Sequence, residues 1–325
     1  LAIKTEVDRE PQPGRLLLTG SADILLLPKL SQSLVGRMEV LTLWPLSQGE
    51  LAGVRENFVD AVFRPVLPLF HAGAEGRAAI LGRLLAGGYP ALLTRQAETR
   101  RKAWFGSYLT TLVQRDVRDL AHIEDLTALP RLLSLLAARV GSLLNYAEVA
   151  RSLAMPQTTL KRHMALIEAT FLLQLLPAWS ANLGKRLVKA PRLFLNDTGL
   201  AAYLLGVNEE RLTPEATLLG PLLENFVVME LRKQTAWSDR RPQLFHFRQP
   251  TGQEVDVVLE DPAGDIVGVE IKASATVTAS DFKGLRALAE LTGRRFRRGV
   301  LLYTGVEQLP FGAQFQAVPV GALWS

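Results

Sequence analysis

Polar and apolar positions change rhythm along the chain. In the last third, short apolar stretches alternate with polar residues over 244–248, 254–259, 266–273 and 298–303. These read as strands, because successive side chains in a strand point to opposite faces. Gln253 and the Asp261–Gly264 turn punctuate them. Helical spacing over 218–237 and 279–291 completes the order α-β-β-β-α-β. The middle is mostly helical over 50–93, with Gly87-Gly88-Tyr89-Pro90 as a loop, and helical again over 100–120 and 129–144. The stretch 145–170 predicts a helix at 147–153, a turn at Ala154-Met155-Pro156 and a helix at 157–169. Proline suits such a start, since its missing N–H would be unpaired there anyway. With strands at 171–179 and 192–195 as a wing, this is a winged helix-turn-helix pattern. Near the start, 1–9 reads as the end of an amphipathic helix. Residues 16–18 and 40–46 read as buried strands joined by a helix at 24–34, one end of a parallel sheet.

Composition narrows the chemistry. The 325 residues suggest two or three domains, and 48% hydrophobic residues can fill real cores. With no cysteine, disulfide scaffolds, cysteine zinc sites, iron–sulfur clusters and cysteine nucleophiles are excluded, and a cytoplasmic setting is expected. No run supplies the ~20 apolar residues of a membrane span. The four histidines are scattered without metal-ligand spacing. Asp197 is read as a helix N-cap ahead of 200–205. Trp104, Tyr108, Phe171 and Trp179 fall at apolar-periodic positions and are assigned to the core.

One constellation carries candidate catalysis. Glu270 and Lys272 share a strand face, while Val269 and Ile271 turn to the core. If 254–259 and 266–273 pair as a hairpin, Asp256 lies beside Glu270. Two such carboxylates suit Mg2+, and a lysine on the same face can orient or deprotonate a water for phosphodiester hydrolysis. Glu224, on the preceding helix, offers a third carboxylate. The arrangement resembles the PD-(D/E)xK nuclease superfamily. That resemblance implies metal ligands at Asp256 and Glu270, a water-activating Lys272 and an accessory Glu224. The other reading is a solvated polar face of an ordinary α/β domain.

Longer stretches carry a second resemblance: LLLTGSAD, SLVGRMEVLTLWPLS, GGYPALL, LNYAEVARSL, RLVKAPRLFLNDTGLAAYLLG, GPLLENFVVMEL, GQEVDVVLE and VEIKAS. Together they resemble a bacterial and archaeal family of AAA-type ATPases whose C-terminal part is domain of unknown function 4143. The fold implied is α/β and mainly-α multidomain. A remnant of a AAA-type parallel sheet with its helical lid would cover 1–95. A helical linker and winged helix would cover 96–213, and a PD-(D/E)xK-like domain 214–325. The family's ATPase module carries a GxxxxGK[ST] phosphate loop; this sequence has none, so ATP is expected in a full-length parent and not in this chain, which reads as truncated at its N-terminus. By the resemblance Thr19 and Ser21 match the position that senses the γ-phosphate, and Arg37 is a candidate for contacting nucleotide of a neighbouring subunit.

Charge adds a candidate nucleic-acid surface. Residues 145–192 carry seven Lys and Arg against two Glu, a net charge equal to the +5 of the whole chain. Clustered positive charge on a helix-turn-helix is the footprint of phosphate binding. Gln157, Thr158, Thr159, Lys161 and Arg162 lie where a recognition helix meets a major groove, and Lys185, Arg186 and Lys189 are placed on the wing to meet backbone. The function expected is an ATP-regulated protein acting on nucleic acid, with a Mg2+-dependent nuclease-like end domain. The alternatives are a non-catalytic nuclease-like platform and an ATP-driven protein-interaction switch. Candidate partners are therefore DNA, a protein and a second copy of the chain, with no membrane.

Overall fold

The computed structural model describes residues 2–10, 12–22, 36–70, 76–95, 97–112, 128–212 and 216–325. Helix α1 (Ala2–Arg9) is followed by irregular chain. The two apolar stretches expected as buried strands form none: Leu17 is 89% exposed and Leu43 is 94% exposed. An apolar run becomes a strand only where a neighbouring strand accepts its ladder of hydrogen bonds. Among the described residues no strand or isolated bridge pairs with either stretch. The helix expected at 24–34 and the last residues of the one at 100–120 lie outside the described residues.

Helices α2 (Gln48–Ala52), α3 (Phe58–Ala61), α4 (Arg77–Ala86) and α5 (Glu98–Leu112) follow. The expected helix at 129–144 is shorter, α6 (Leu129–Ala137), and buries Leu129, Leu132, Leu133 and Leu136. After it the chain turns through Gly141, whose φ of +77° a residue with a Cβ rarely adopts.

Helix α7 (Tyr146–Ser152) starts at Asn145, whose side chain accepts the Glu148 N–H at 3.2 Å. A short turn leads through Pro156 into α8 (Gln157–Ala169), which buries Leu160, His163, Met164 and Ile167 at helical spacing. Strands β1 (Leu173–Leu176) and β2 (Arg192–Leu195) pair antiparallel. On its other edge β2 meets 141–144: Gly141 N–H donates to Leu193 O, and Leu193 N–H to Ser142 O. Helix α9 (Leu183–Val188) lies between the two strands.

Helix α10 (Thr198–Leu205) is capped by Asp197 as expected, and α11 (Glu209–Leu212) leads to α12 (Ala216–Thr235). A six-stranded sheet then runs in the order β3-β4-β5-β6-β8-β7. Strands β3 (Gln243–Arg248), β4 (Glu254–Glu260) and β5 (Ile266–Lys272) are antiparallel. Helix α13 (Lys283–Thr292) crosses to β6 (Phe296–Tyr303), parallel to β5, and β8 (Phe315–Pro319) is parallel to β6. A two-residue strand β7 (Leu309–Pro310) closes the edge.

Helix α12 packs on one face of this sheet and α13 on the other. Val257, Val267, Val269, Val300 and Leu302 join the core that also holds α12 and the middle helices. Phe245, Val255, Val258, Leu285, Leu288 and Leu301 form the second core, with Trp179 beside them. Tyr89, Trp104 and Tyr108 form one aromatic cluster, and the Trp104 and Tyr108 rings stack at 5.0 Å. The chain is thus a mixed α/β, multidomain protein.

Candidate functional site

Three carboxylates from different elements converge, and an arginine stands among them. The register of β4 and β5 pairs Val257 with Val269, so one step further Asp256 lies across from Glu270. The β3–β4 register slips at this point: Asp256 and Val257 together face the single residue His246. Such a bulge interrupts strict alternation and re-aims a side chain. Glu224 enters from α12.

Arg192, the first residue of β2, donates to both sides. Its Nη1 lies 3.0 Å from Asp256 Oδ1. Its Nη2 lies 2.6 Å from Glu224 Oε1 and donates to Oε2 at 2.9 Å. Its Nε donates to Gly141 O. The other Asp256 oxygen accepts the Ile271 N–H at 2.9 Å. Glu270 keeps one buried oxygen, Oε2, without a hydrogen-bond partner. Lys272 is turned toward Asp281, 3.3 Å away.

Burial raises the pKa of all three carboxyls. For Glu224 and Glu270, repulsion from Asp256 adds to burial and lifts them well above the usual carboxylate range. For Asp256, Arg192 pulls back against burial. Burial opposes the charge of Arg192 itself, and Glu224 and Asp256 more than restore it.

The donor set, as placed, does not fit Mg2+, which requires oxygens at about 2.0–2.1 Å in near-octahedral array. The guanidinium lies between two of the expected ligands, and a backbone N–H holds the second Asp256 oxygen. Among the described residues no group of three or more His, Asp or Glu side chains is placed to hold a metal ion. Glu224, Asp256 and Glu270 lie together in the structure, and Arg192, which the sequence places only in the basic middle, stands among them. The signal was present: a lone charge opens the otherwise apolar Arg192-Leu193-Phe194-Leu195.

The other candidate residues are dispersed. Gln157, Thr158, Lys161 and Arg162 are exposed on the first turns of α8, Thr159 is half-buried, and Lys161 lies over the Tyr146 ring. Lys185 and Arg186 sit on α9, with Lys189 just beyond it, rather than on an extended wing. Lys185 and Lys189 are exposed. Arg186 is committed elsewhere: it pairs with Glu260 and covers the Trp179 and Phe245 rings. Thr19 and Ser21 are exposed in irregular chain, and Arg37 pairs with Asp8.

A second buried polar cluster was not foreseen. Lys233 contacts Glu230 at 2.6 Å and donates to Leu46 O at 3.0 Å. The other Glu230 oxygen accepts the Gln48 N–H at 2.8 Å. Leu46 N–H donates to Gly88 O, and Gly88 N–H donates to Asp197 Oδ2 at 2.7 Å. The Gly87-Gly88 pair is required here: Gly87 has φ +68°, and a Cβ on either residue would overlap Asp197 or Leu46. Glu56 closes the cluster by accepting the Gly49 N–H at 2.7 Å.

Glu56 gives this cluster a pH dependence. Burial pushes its pKa up to about 7, with Glu230 adding to the rise and Ser47, Gly49 and Lys233 opposing it. The folded state therefore holds a proton that the unfolded chain releases nearer pH 4.5. Its contribution is full in acid and declines as pH rises toward 7 and beyond. Melting temperatures measured from pH 4.5 to 8 should fall less steeply in Glu56→Gln than in wild type; parallel curves would remove Glu56 as the cause.

Three family models match successive parts of this fold: a AAA domain over residues 1–52, domain of unknown function 8612 over 78–211, and domain of unknown function 4143 over 219–323. The AAA-domain match and the domain of unknown function 4143 match together support a likeness to AAA-type ATPases with that C-terminal domain. The chain is 31% identical over 319 residues to two proteins described as uncharacterized, from Mycobacterium bovis and Mycobacterium tuberculosis. The match covers 98% of this chain and 64% of each relative, so the chain spans a little under two-thirds of their length. No solved structure matches. The C-terminal model covers α12 from Leu219 onward and the whole sheet, and so includes Glu224, Asp256 and Glu270, whereas Arg192 comes from the segment matched by the middle model. The acidic site is thus assembled across two family models. Among the described residues no helix is long and apolar enough to cross a membrane.

Proposed function

We propose that this chain is the nucleic-acid-contacting part of a AAA-type ATP-binding protein, with a nuclease-like end domain that acts as a platform rather than a nuclease. The observation that carries the reading is helix α8. It follows α7 after a short turn, packs its apolar side inward, and leaves Gln157, Thr158, Lys161 and Arg162 exposed on its first turns. The flanking ladder of 141–144, β2 and β1 supports reading this unit as a winged helix-turn-helix. In that geometry the start of the second helix enters the major groove while basic side chains meet phosphates.

The order α12-β3-β4-β5-α13-β6, with acidic residues on α12, β4 and β5 and Lys272 after Glu270, supports a PD-(D/E)xK-like fold for the end domain. Fold does not carry activity with it. Arg192 between Glu224 and Asp256 favours the platform over the Mg2+-dependent deoxyribonuclease.

The test is fluorescence anisotropy with a 30-base-pair duplex across a salt series. Binding should weaken steeply with salt. Lys161→Ala/Arg162→Ala should lower affinity about tenfold and reduce the log–log salt slope by about 2. Supercoiled plasmid should stay intact in Mg2+ over the same range. Binding that ignores salt, or a double variant that binds like wild type, would sink the DNA reading and favour a protein partner. Cutting that is lost in Glu270→Ala would restore the nuclease.

A further inference from the structure

We propose that Arg192 is the resident cation of the acidic site, occupying the place between Glu224 and Asp256 that a divalent metal would need, so that metal enters only when this arginine is gone. The inference rests on the geometry around Arg192 and stands whether or not α8 meets DNA.

The arginine is built in rather than lying across the site by chance. Its backbone is held on both sides, paired with Leu176 of β1 and bridged to Leu143. Its guanidinium lies over the Phe194 ring at 6.0 Å. Each of its three nitrogens has an acceptor: Gly141 O, Asp256 and Glu224. The planar fork of an arginine suits bridging two carboxylates, which a lysine ammonium does not reproduce.

The surroundings are shaped to the same end. Gly141 takes its left-handed conformation directly beside Glu224, and a Cβ there would come within 2.9 Å of Glu224 Oε2. This glycine therefore lets the carboxylate approach the backbone carbonyl that Arg192 also holds.

Charge completes the case. Three buried carboxylates in one place demand a counter-charge. Arg192 supplies it to two of them, while Lys272 lies toward Asp281. Two buried oxygens of the site accept no hydrogen bond, Glu270 Oε2 and Glu224 Oε1, and the second of these lies 2.6 Å from Arg192 Nη2. Taking the guanidinium away would leave Glu224, Asp256 and Glu270 as an oxygen-only set, the donor chemistry that Mg2+ and Mn2+ prefer.

The experiment uses the whole chain with Mn2+ as probe. Binding is read from the free-ion signal in electron paramagnetic resonance, and stability from thermal melts with and without the ion. Wild type should leave the Mn2+ signal and its melting temperature unchanged at millimolar ion. Arg192→Gln should melt several degrees lower, recover part of that loss on adding Mn2+, and bind about one ion per chain at least tenfold more tightly than wild type. Arg192→Lys is the second variant, chosen to stay folded: it keeps one charge but cannot bridge both carboxylates. It should bind Mn2+ measurably, more weakly than Arg192→Gln. Glu270→Gln placed on either variant should loosen the ion again. Wild type binding Mn2+ as tightly as the variants would overturn the proposal. So would a folded Arg192→Lys or Arg192→Gln no better than wild type.

Discussion

Lys233→Met should destabilise the protein by about 3–5 kcal/mol, the usual cost of stripping one partner from a buried ion pair. Both members are inside, with side chains 5% and 1% exposed for Lys233 and Glu230. Without the ammonium, Glu230 is left with the Gln48 N–H among the described residues, and the Leu46 carbonyl loses the Lys233 donor. Urea unfolding measures the loss. The double variant Glu230→Gln/Lys233→Met is the control, because it removes both charges and should recover a large share of the stability. A double variant as unstable as the sum of the singles would show that packing, not the charge pair, sets the cost.

Asp197→Ala should be the next most damaging, at about 2–4 kcal/mol. The carboxylate accepts the Leu200 N–H at 3.0 Å as the cap of α10, a loss worth about 1 kcal/mol. It also accepts the buried Gly88 N–H, whose abandonment costs about 1–3 kcal/mol more. Asp197→Asn retains an acceptor and should lose less. Thermal or urea unfolding ranks the two; equal losses would argue against the hydrogen-bond account. Since Gly88 O is also the acceptor for Leu46 N–H, losses at Asp197 and Lys233 should not add independently.

Much of the C-terminal fold was legible because local signals agree there. Strands β3 to β6 are short, largely apolar runs set between turn residues, and the turn at Asp261 is closed by its own side chain accepting the Asp265 N–H. The start of helix α8 is signalled in the sequence by Pro156. What failed was the inference from apolar runs to burial. Leu16–Leu18 and the stretch around Leu43 look like core strands by composition, yet burial depends on partners that no local pattern encodes. Strand β8 was missed because Phe315-Gln316-Ala317-Val318-Pro319 is short and its pairing with β6 is non-local. The long apolar helix over 129–144 was overextended because hydrophobicity hides a turn that only Gly141 signals. Glu224, Asp256 and Glu270 were found by matching a pattern of acids. Arg192 was not, because its partners are 32 and 64 residues away and a lone arginine reads as surface charge.

Helix α12 ties these observations together mechanically. Toward its C-terminal end, Glu230 and Lys233 grip the backbone at Leu46 and Gln48. Nearer its start, Asn225 clasps the Leu195 backbone from both sides and Glu224 holds Arg192. Glu224 and Lys233 are nine residues apart on one helix, about 14 Å along its axis. A helix resists stretching, so the two grips behave as the ends of a strut. Any displacement of residues 46–49, at the close of the AAA-matched segment, must either carry the strut with it or break buried charged contacts. The stiffness of a single helix thus sets how far the acidic site can stay still while that segment moves.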